Sequence, residues 1–401
     1  MSGTSDTLQD ATARRGGGVL EARLIGVDRD AFARDVWARE PLLTRAASDF
    51  ADVFSAAAVD ELVSRRGLRT PFLRVAKNGA TLPEGSFTSP GGVGATIADQ
   101  LDDTKLWRAF EDGATLVLQA LQRTWEPVAD LVSALSAELG HPVQANAYVT
   151  PPQNRGFDHH YDVHDVFVLQ VSGTKRWIIH EPVRTDPLRD EPWTDRRPEV
   201  AEAAEGGARL DAVLGPGDVL YLPRGWLHAA EAQGEVSIHL TLGVHAWTRH
   251  ALAEQLLRAA LEELRDDPWM RGSLPLGTEG PDGELAFVRE RLAEALATAD
   301  PAPLFHRARR GQARPAPLGP LAQLAAVQRL APGAAVRLRG ALGARLTGAR
   351  LATRVGWLDF SEGELPSVRR LLDGGVHTAG DLGLALVERL LRAGVLVPVA
   401  S

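Results

Sequence analysis

The sequence of 401 residues contains no cysteine. That excludes disulfides, thiolate zinc sites, iron–sulfur ligation and a thiol nucleophile. A metal held by histidine and carboxylate stays open. Lysine is nearly absent as well. Only Lys77, Lys105 and Lys175 occur in a total of 44 lysines and arginines, so a lysine in a suggestive place carries extra information. No apolar run approaches the roughly 20 residues needed to span a bilayer. The opening MSGTSDTLQDATARRGGG has no hydrophobic stretch of the kind a secretory signal requires, and a cytoplasmic location is the expectation. What is present, 44% hydrophobic and 24% charged residues, can bury a full core. The net charge of −8 argues against membrane binding and against direct nucleic-acid binding by a simple polybasic chain.

The length suggests two or three domains. Residues 1–18 read as a disordered tail, being small, polar and glycine-ended. Asp30 is a plausible N-cap for a helix to Arg39, PLLTR at 41–45 reads as a strand, and the spacing over Leu118–Leu139 predicts a helix stopped by Gly140. From Pro142 to Trp247 short β-rich runs recur between turns: VQANAYVT, DVFVLQV, KRWIIH, RLDAVL, DVLYLP and VSIHLTLGV. They argue for an antiparallel jelly roll, with 181–207 as a loop at its rim. Beyond it, 249–271 and 284–299 are strongly amphipathic helices and 318–330 is a third apolar run. The last seventy residues mix strand-like VRLRG, RVGWLDF and VLVPV with helices at 364–373 and 379–393, an α+β arrangement suited to a winged-helix module. Between Pro303 and Trp357 stand ten arginines and no acid. A solvated or interdomain face explains this in an arginine-biased chain, and contact with RNA or an acidic partner is the other reading.

Chemistry concentrates in GFDHHYDVHD, residues 156–165. On or beside a strand, a period of two sends His160 and Asp162 to one face. An imidazole beside a carboxylate supplies two of three ligands of a 2-His-1-carboxylate iron site. In GDVLYLPRGWLH a strand ends in a Pro-Gly turn with His228 just beyond, 66 residues after Asp162. A jelly roll can return that turn to the barrel mouth, making His228 the third ligand. A solvated loop pair and a core histidine are the structural alternatives. His159 and His164 are spare imidazoles, at the surface or donating to a ligand. Lys175 follows the Gly173 turn; inside a barrel its ammonium needs a negative partner such as a dicarboxylate, and on a hairpin surface it needs none. Asn146, Tyr148 and Thr241 put polar tips among apolar neighbours, facing either into the barrel or out.

Together, QANAYVTPPQNRGFDHHYDVHDVFVLQVSGTKRW and GDVLYLPRGWLHAAEA…SIHLTLGV resemble the JmjC/cupin-like ribosomal oxygenases, which are Fe(II)- and 2-oxoglutarate-dependent protein hydroxylases. FARDVWAREPLLTR is similar to the opening segment of that family. The resemblance implies a mostly β, α+β fold: a double-stranded β-helix of the JmjC type at 19–247, a helical dimerisation region at 248–330, and a winged-helix-like domain at 331–401. It implies His160, Asp162 and His228 as iron ligands, and Lys175 as the partner of the far carboxylate of 2-oxoglutarate. It also implies Asn146 and Thr241 in the co-substrate pocket and Tyr148 near the substrate side chain. Gly243 departs from the pattern, standing where some relatives carry serine. The implied reaction uses O2 to hydroxylate an arginine or histidine of a ribosomal protein, or of another basic peptide, and the implied assembly is a homodimer. A hydroxylase of a small molecule or peptide natural product on the same scaffold is the alternative. From another class, the alternative is a non-catalytic metal-binding cupin that binds nucleic acid or protein through its winged helix.

Overall fold

The computed structural model describes residues 18–77, 79–152, 158–276, 282–311 and 314–399. Residues 1–17 of the expected tail lie outside them, as do Gly156 and Phe157 of the first histidine motif. The chain divides into two compact units between Ala246 and Trp247. No helix among the described residues is long and apolar enough to cross a membrane.

The first unit mixes helix with a large antiparallel sheet, consistent with a JmjC/cupin fold. Its strands are, in order, β1 Leu42–Thr44, β2 Leu73–Lys77, β3 Ala80–Thr81, β4 Thr88–Ser89, β5 Gln100–Leu101, β6 Thr115–Leu118 and β7 Val143–Thr150. Then come β8 Asp165–Ser172, β9 Lys175–His180, β10 Leu210–Leu214, β11 Val219–Leu222, β12 Leu227–Ala232 and β13 Ser237–Val244. Eight strands form one sheet in the order β1-β11-β8-β13-β7-β6-β2-β3, and β10-β9-β12 form another.

Alternation along the strands decides which side each residue takes. The outer face of the large sheet carries Ala145, Ala147, Val149, Phe167, Leu169, Val219, Tyr221, Leu240 and Leu242. These pack with Leu24, Ile25, Leu62, Leu131 and Leu135 from the helices outside it. The inner face meets the small sheet. At one end it does so through an apolar cluster of Val166, Val168, Leu220 and Leu222 against Trp177, Ile179 and Leu214. Along β7 and β13 the inner positions are polar instead: Gln144, Asn146, Tyr148 and Thr150 lie opposite Gly243, Thr241, His239 and Ser237. A register shift at Ile238/His239 separates the pairing of Ile238 with Ser172 from that of His239 with Gln170.

The structure corrects several sequence expectations in the first unit. The stripe from Leu118 splits into β6, a short 3-10 turn at Leu121–Arg123 and a helix Glu126–Leu139. Pro127 sits in the first turn of that helix, where its missing N–H costs nothing. Near the N-terminus Asp28, not Asp30, caps the helix, accepting the N–H groups of Asp30 and Ala31. The rim segment 181–207 contains a helix, Arg197–Ala204.

In the second unit the helices Arg249–Leu264, Asp282–Thr298, Ala302–Gly311 and Pro320–Gln328 precede an α+β core. There Ala335–Leu338 pairs with Val376–Thr378 and Leu396–Pro398. Arg345–Thr347, Arg350–Thr353 and Gly356–Asp359 form a separate three-stranded meander. The helix expected over 379–393 is broken at Gly383 into Ala379–Leu382 and Leu384–Arg392.

The β8–β9 turn depends on Gly173, whose φ of +63° favours glycine and whose added Cβ would lie 2.1 Å from the Val236 carbonyl oxygen. Backbone strain of this kind costs about 2 kcal/mol. Gly173→Ala is therefore expected to lower the first thermal unfolding midpoint by roughly 4–8 °C, read by calorimetry.

Candidate metal centre

His160, Asp162 and His228 come from two segments that the backbone ties together. His160 N–H donates to the His228 carbonyl at 3.2 Å and His228 N–H to the His160 carbonyl at 2.8 Å. Gly225 N–H donates to the Asp162 carbonyl at 3.0 Å. Gly225 has a φ of +88°, and a Cβ there would lie 2.4 Å from the Arg184 carbonyl oxygen, so only glycine fits the turn. Just past Asp162, the Asp165 carboxylate accepts the N–H of Arg224 at 2.8 Å. His228 thus stands at the second position of β12 rather than beyond a strand end, and His160 forms an isolated bridge rather than part of a regular strand.

One donor atom from each of the three side chains lies within 4.8 Å of the others. His228 Nε2 is 3.8 Å from Asp162 Oδ2, and the two imidazole centroids are 4.4 Å apart. His160 Nδ1 lies 2.7 Å from the Asp158 carbonyl and His228 Nδ1 3.0 Å from the Trp226 carbonyl. A proton held at each Nδ1 leaves both Nε2 lone pairs for a cation. Burial, with His160 next, pushes the His228 imidazole down to about 4, so it is neutral at physiological pH. Burial works to raise the Asp162 carboxyl, but the imidazoles of His164, His228 and His160 outweigh it and hold it below its ordinary value. Two imidazoles and one carboxylate, open on one side, fit a divalent transition metal.

Deeper between the sheets, Lys175 is 2% exposed. Its Nζ donates to Thr150 Oγ1 at 3.0 Å, and burial pushes its ammonium down to about 7. Around it, Trp177 Nε1, His239 Nδ1 and Gln170 Oε1 are buried with no hydrogen-bond partner among the described residues. Trp177 packs edge-on to His239 at 5.4 Å and lies 6.0 Å from His228, linking the two regions. Burial first, and the Lys175 cation second, hold His239 well below the ordinary histidine range. A buried amine with a hydroxyl partner, beside unused polar atoms, fits the chemistry of a carboxylate.

Asn146, Tyr148 and Thr241 all take inner positions on β7 and β13. Asn146 Oδ1 already accepts the Ala120 N–H at 3.1 Å. Tyr148 stacks on His239, 4.9 Å away with planes 2° apart. Residue typing missed Thr150, Trp177 and His239, although the alternation that singled out Asn146 and Thr241 also points these inward. Of the spare histidines, His159 packs on His180 and His164 on His245 at 5.0 Å.

Residues 118–252 match the family model of the JmjC domain. Ribosomal oxygenase 1 of Homo sapiens is 29% identical over 262 residues, covering 63% of this chain and 39% of that protein. Residues 118–252 are thus similar to the JmjC domain, and the chain resembles the ribosomal oxygenases. Over a shorter span the likeness is stronger: the bifunctional lysine-specific demethylase and histidyl-hydroxylase NO66 of Drosophila persimilis is 38% identical over 137 residues, 33% of this chain and 19% of that one. The chain spans about two fifths of the length of the Ribosomal oxygenase 1 relatives from Homo sapiens and Rattus norvegicus. A solved structure of YcfD, a ribosomal oxygenase from Escherichia coli, in complex with cobalt and 2-oxoglutarate shares the fold. Its TM-score is 0.56 at 18% identity, over 94% of this chain and 99% of that one.

Cobalt(II) added to metal-free protein is expected to develop a visible ligand-field spectrum at one equivalent. His228→Ala, which removes a ligand, should weaken that binding at least about 100-fold, and a spectrum unchanged in the variant would dissociate His228 from the metal.

Proposed function

We propose that this chain is an Fe(II)- and 2-oxoglutarate-dependent oxygenase that hydroxylates an arginine or histidine side chain of a ribosomal protein. One juxtaposition carries the reading: a His-Asp-His triad open on one side, joined through Trp177 to a buried lysine that lacks a carboxylate. The likeness to ribosomal oxygenases and to a histidyl-hydroxylase, and the cobalt and 2-oxoglutarate held by YcfD, support the same reading.

His160, Asp162 and His228 hold the iron. Bound iron supplies the activation of O2 that couples conversion of 2-oxoglutarate to succinate and CO2 with hydroxylation of a C–H bond. The protein's own residues orient and protect. Nδ1 contacts fix both imidazoles, and ionised Asp162 offsets the metal charge. Lys175, with Thr150 beside it, receives the far carboxylate of the co-substrate, and Trp177 and His239 close the space around it. Asn146 and Thr241 line the same face, and Tyr148, held flat on His239, borders the substrate side. The catalytic domain spans 19–247. The exposed Leu252, Leu257 and Leu261 on the helix Arg249–Leu264 support a pairing role for 248–330 in a homodimer, with 331–401 as a winged-helix-like module.

Lys175 sets a pH dependence. Its ammonium is charged below about 7 and neutral above in the empty pocket. A bound carboxylate favours the charged form, so binding above that value must take up a proton. The affinity of metal-loaded, anaerobic protein for 2-oxoglutarate should be highest below the Lys175 value and fall by up to about tenfold per pH unit above it. Lys175→Met should bind weakly throughout with that slope removed. Titration calorimetry reads both, and a slope kept in Lys175→Met would refute the role.

The activity itself is tested by offering ribosomal proteins to the iron-loaded enzyme with 2-oxoglutarate. One peptide should gain the mass of a single oxygen atom, drawn from isotope-labelled O2. Succinate formation stimulated by small metabolites alone, with every ribosomal peptide unmodified, would overturn the protein substrate.

A further inference from the structure

The net charge of −8 is an average over two very different units. Residues 1–246 hold 35 acids against 24 cations, whereas residues 247–401 hold 20 arginines against 17 acids. Within the second unit, residues 301–358 contain all ten arginines of the acid-free stretch. Several are committed locally: Arg339 donates to the carbonyls of Ala316 and Gly394, Arg354 to that of Ala341, and Arg350 pairs with Asp359. Arg307, Arg314, Arg329, Arg337 and Arg345 are exposed and have no carboxylate partner among the described residues.

The meander organises part of this charge around an aromatic ring. Its register stacks Leu346, Leu351 and Leu358 in one cross-strand row, which faces the unit's core. The neighbouring row, Arg345, Ala352 and Trp357, therefore points the other way. Trp357 is 69% exposed, beside Val355 at 44%. The small Ala352 stands between them in that row, the strands of Arg345 and Trp357 being about 10 Å apart. Arg345 also donates to His306 Nε2 at 2.6 Å, which places the helix Ala302–Gly311, and the exposed Arg307 on it, beside the meander. A core protein has no use for an uncovered indole, and a purely solvated arginine face has no need of one.

We propose that the outer face of this meander binds single-stranded RNA, a base stacking on Trp357 while Arg345 and Arg307 take the flanking phosphates. Charge complementarity names a polyanion, and the ring in register with a guanidinium favours one that carries flat bases. An acidic polypeptide would use the arginines and leave the indole idle.

The test is fluorescence anisotropy of a labelled, mixed-sequence RNA oligonucleotide with the full chain. The logarithm of affinity should fall with that of salt at a slope of about −1.4, two phosphates at roughly 0.7 each. Trp357→Ala should weaken binding by roughly 5- to 100-fold and Trp357→Phe by much less, the range that base stacking gives. Arg345→Glu should flatten the salt slope. Circular dichroism and 2-oxoglutarate turnover, which these surface changes leave intact, confirm that the variants fold. No binding at low salt, or an affinity unmoved by both Trp357→Ala and Arg345→Glu, overturns the proposal. So does polyglutamate binding more tightly than the RNA, which assigns the face to an acidic protein. An oligomer that Trp357→Ala disperses without changing RNA affinity overturns it too, in favour of a contact between copies.

Discussion

Two reciprocal hydrogen bonds between the backbones of His160 and His228 are the constraint on which the site rests. His228 belongs to the small sheet, through its pairing with Ile179, while the chain running on from Asp162 enters the large sheet at Asp165. The bridge therefore fixes the distance between the sheets at one end. Because it is made of main-chain atoms, it holds whatever side chains project from it. Gly225 and the Asp165 carboxylate brace it, the first by permitting the turn and the second by accepting the Arg224 N–H. Three ligands dispersed over 69 residues, His160 to His228, then reach one point with little side-chain freedom left to lose.

Charge inside this space is costly, and the cost shows how the protein divides its work. Lys175 gives up much of its basicity to remain buried beside a hydroxyl, and its cation depresses His239 in turn. Nothing in the fold needs that arrangement: the apolar cluster of Val166, Val168, Trp177 and Leu220 fills an equivalent region with no polar atom to satisfy except the indole nitrogen. An uncompensated buried cation lowers stability unless a ligand completes it. The co-substrate carboxylate of the proposed function would supply that completion.

The barrel was legible because its strands are short, alternating and punctuated by glycine and proline. Each β-run quoted from Val143 to Val244 became a strand, and the two histidine motifs came within reach of one another. The failures have physical causes. β12 was missed because LHAAEA has little β-propensity; its place is set by pairing with β9, not by its own residues. The helix stripe from Leu118 was overdrawn at its start because Leu121, in the 3-10 turn Leu121–Arg123, shares the spacing of the helix Glu126–Leu139. Asn146 was placed in the co-substrate pocket by the family resemblance, and its carbonyl oxygen also accepts the Ala120 N–H, a contact that no local pattern encodes. The whole-chain charge of −8 sums an acidic first unit and a slightly basic second one, whose ten-arginine stretch was already visible in the sequence.

Gly243 illustrates how a departure from a family pattern is absorbed by its surroundings. It lies on the inner face of β13, opposite Gln144, and a Cβ there would come within 3.1 Å of His164 Cε1 and 3.3 Å of Gln144 Cγ. The room that a side chain from β13 would occupy is held by an imidazole from the segment leading into β8, itself packed on His245. That imidazole is also the one that acts most strongly on the Asp162 carboxyl. Adding bulk at 243 therefore moves His164 and, through it, the electrostatic setting of a ligand carboxylate. The wall beside the metal centre is a joint property of positions 164 and 243, and neither can be interpreted from the sequence of its own strand.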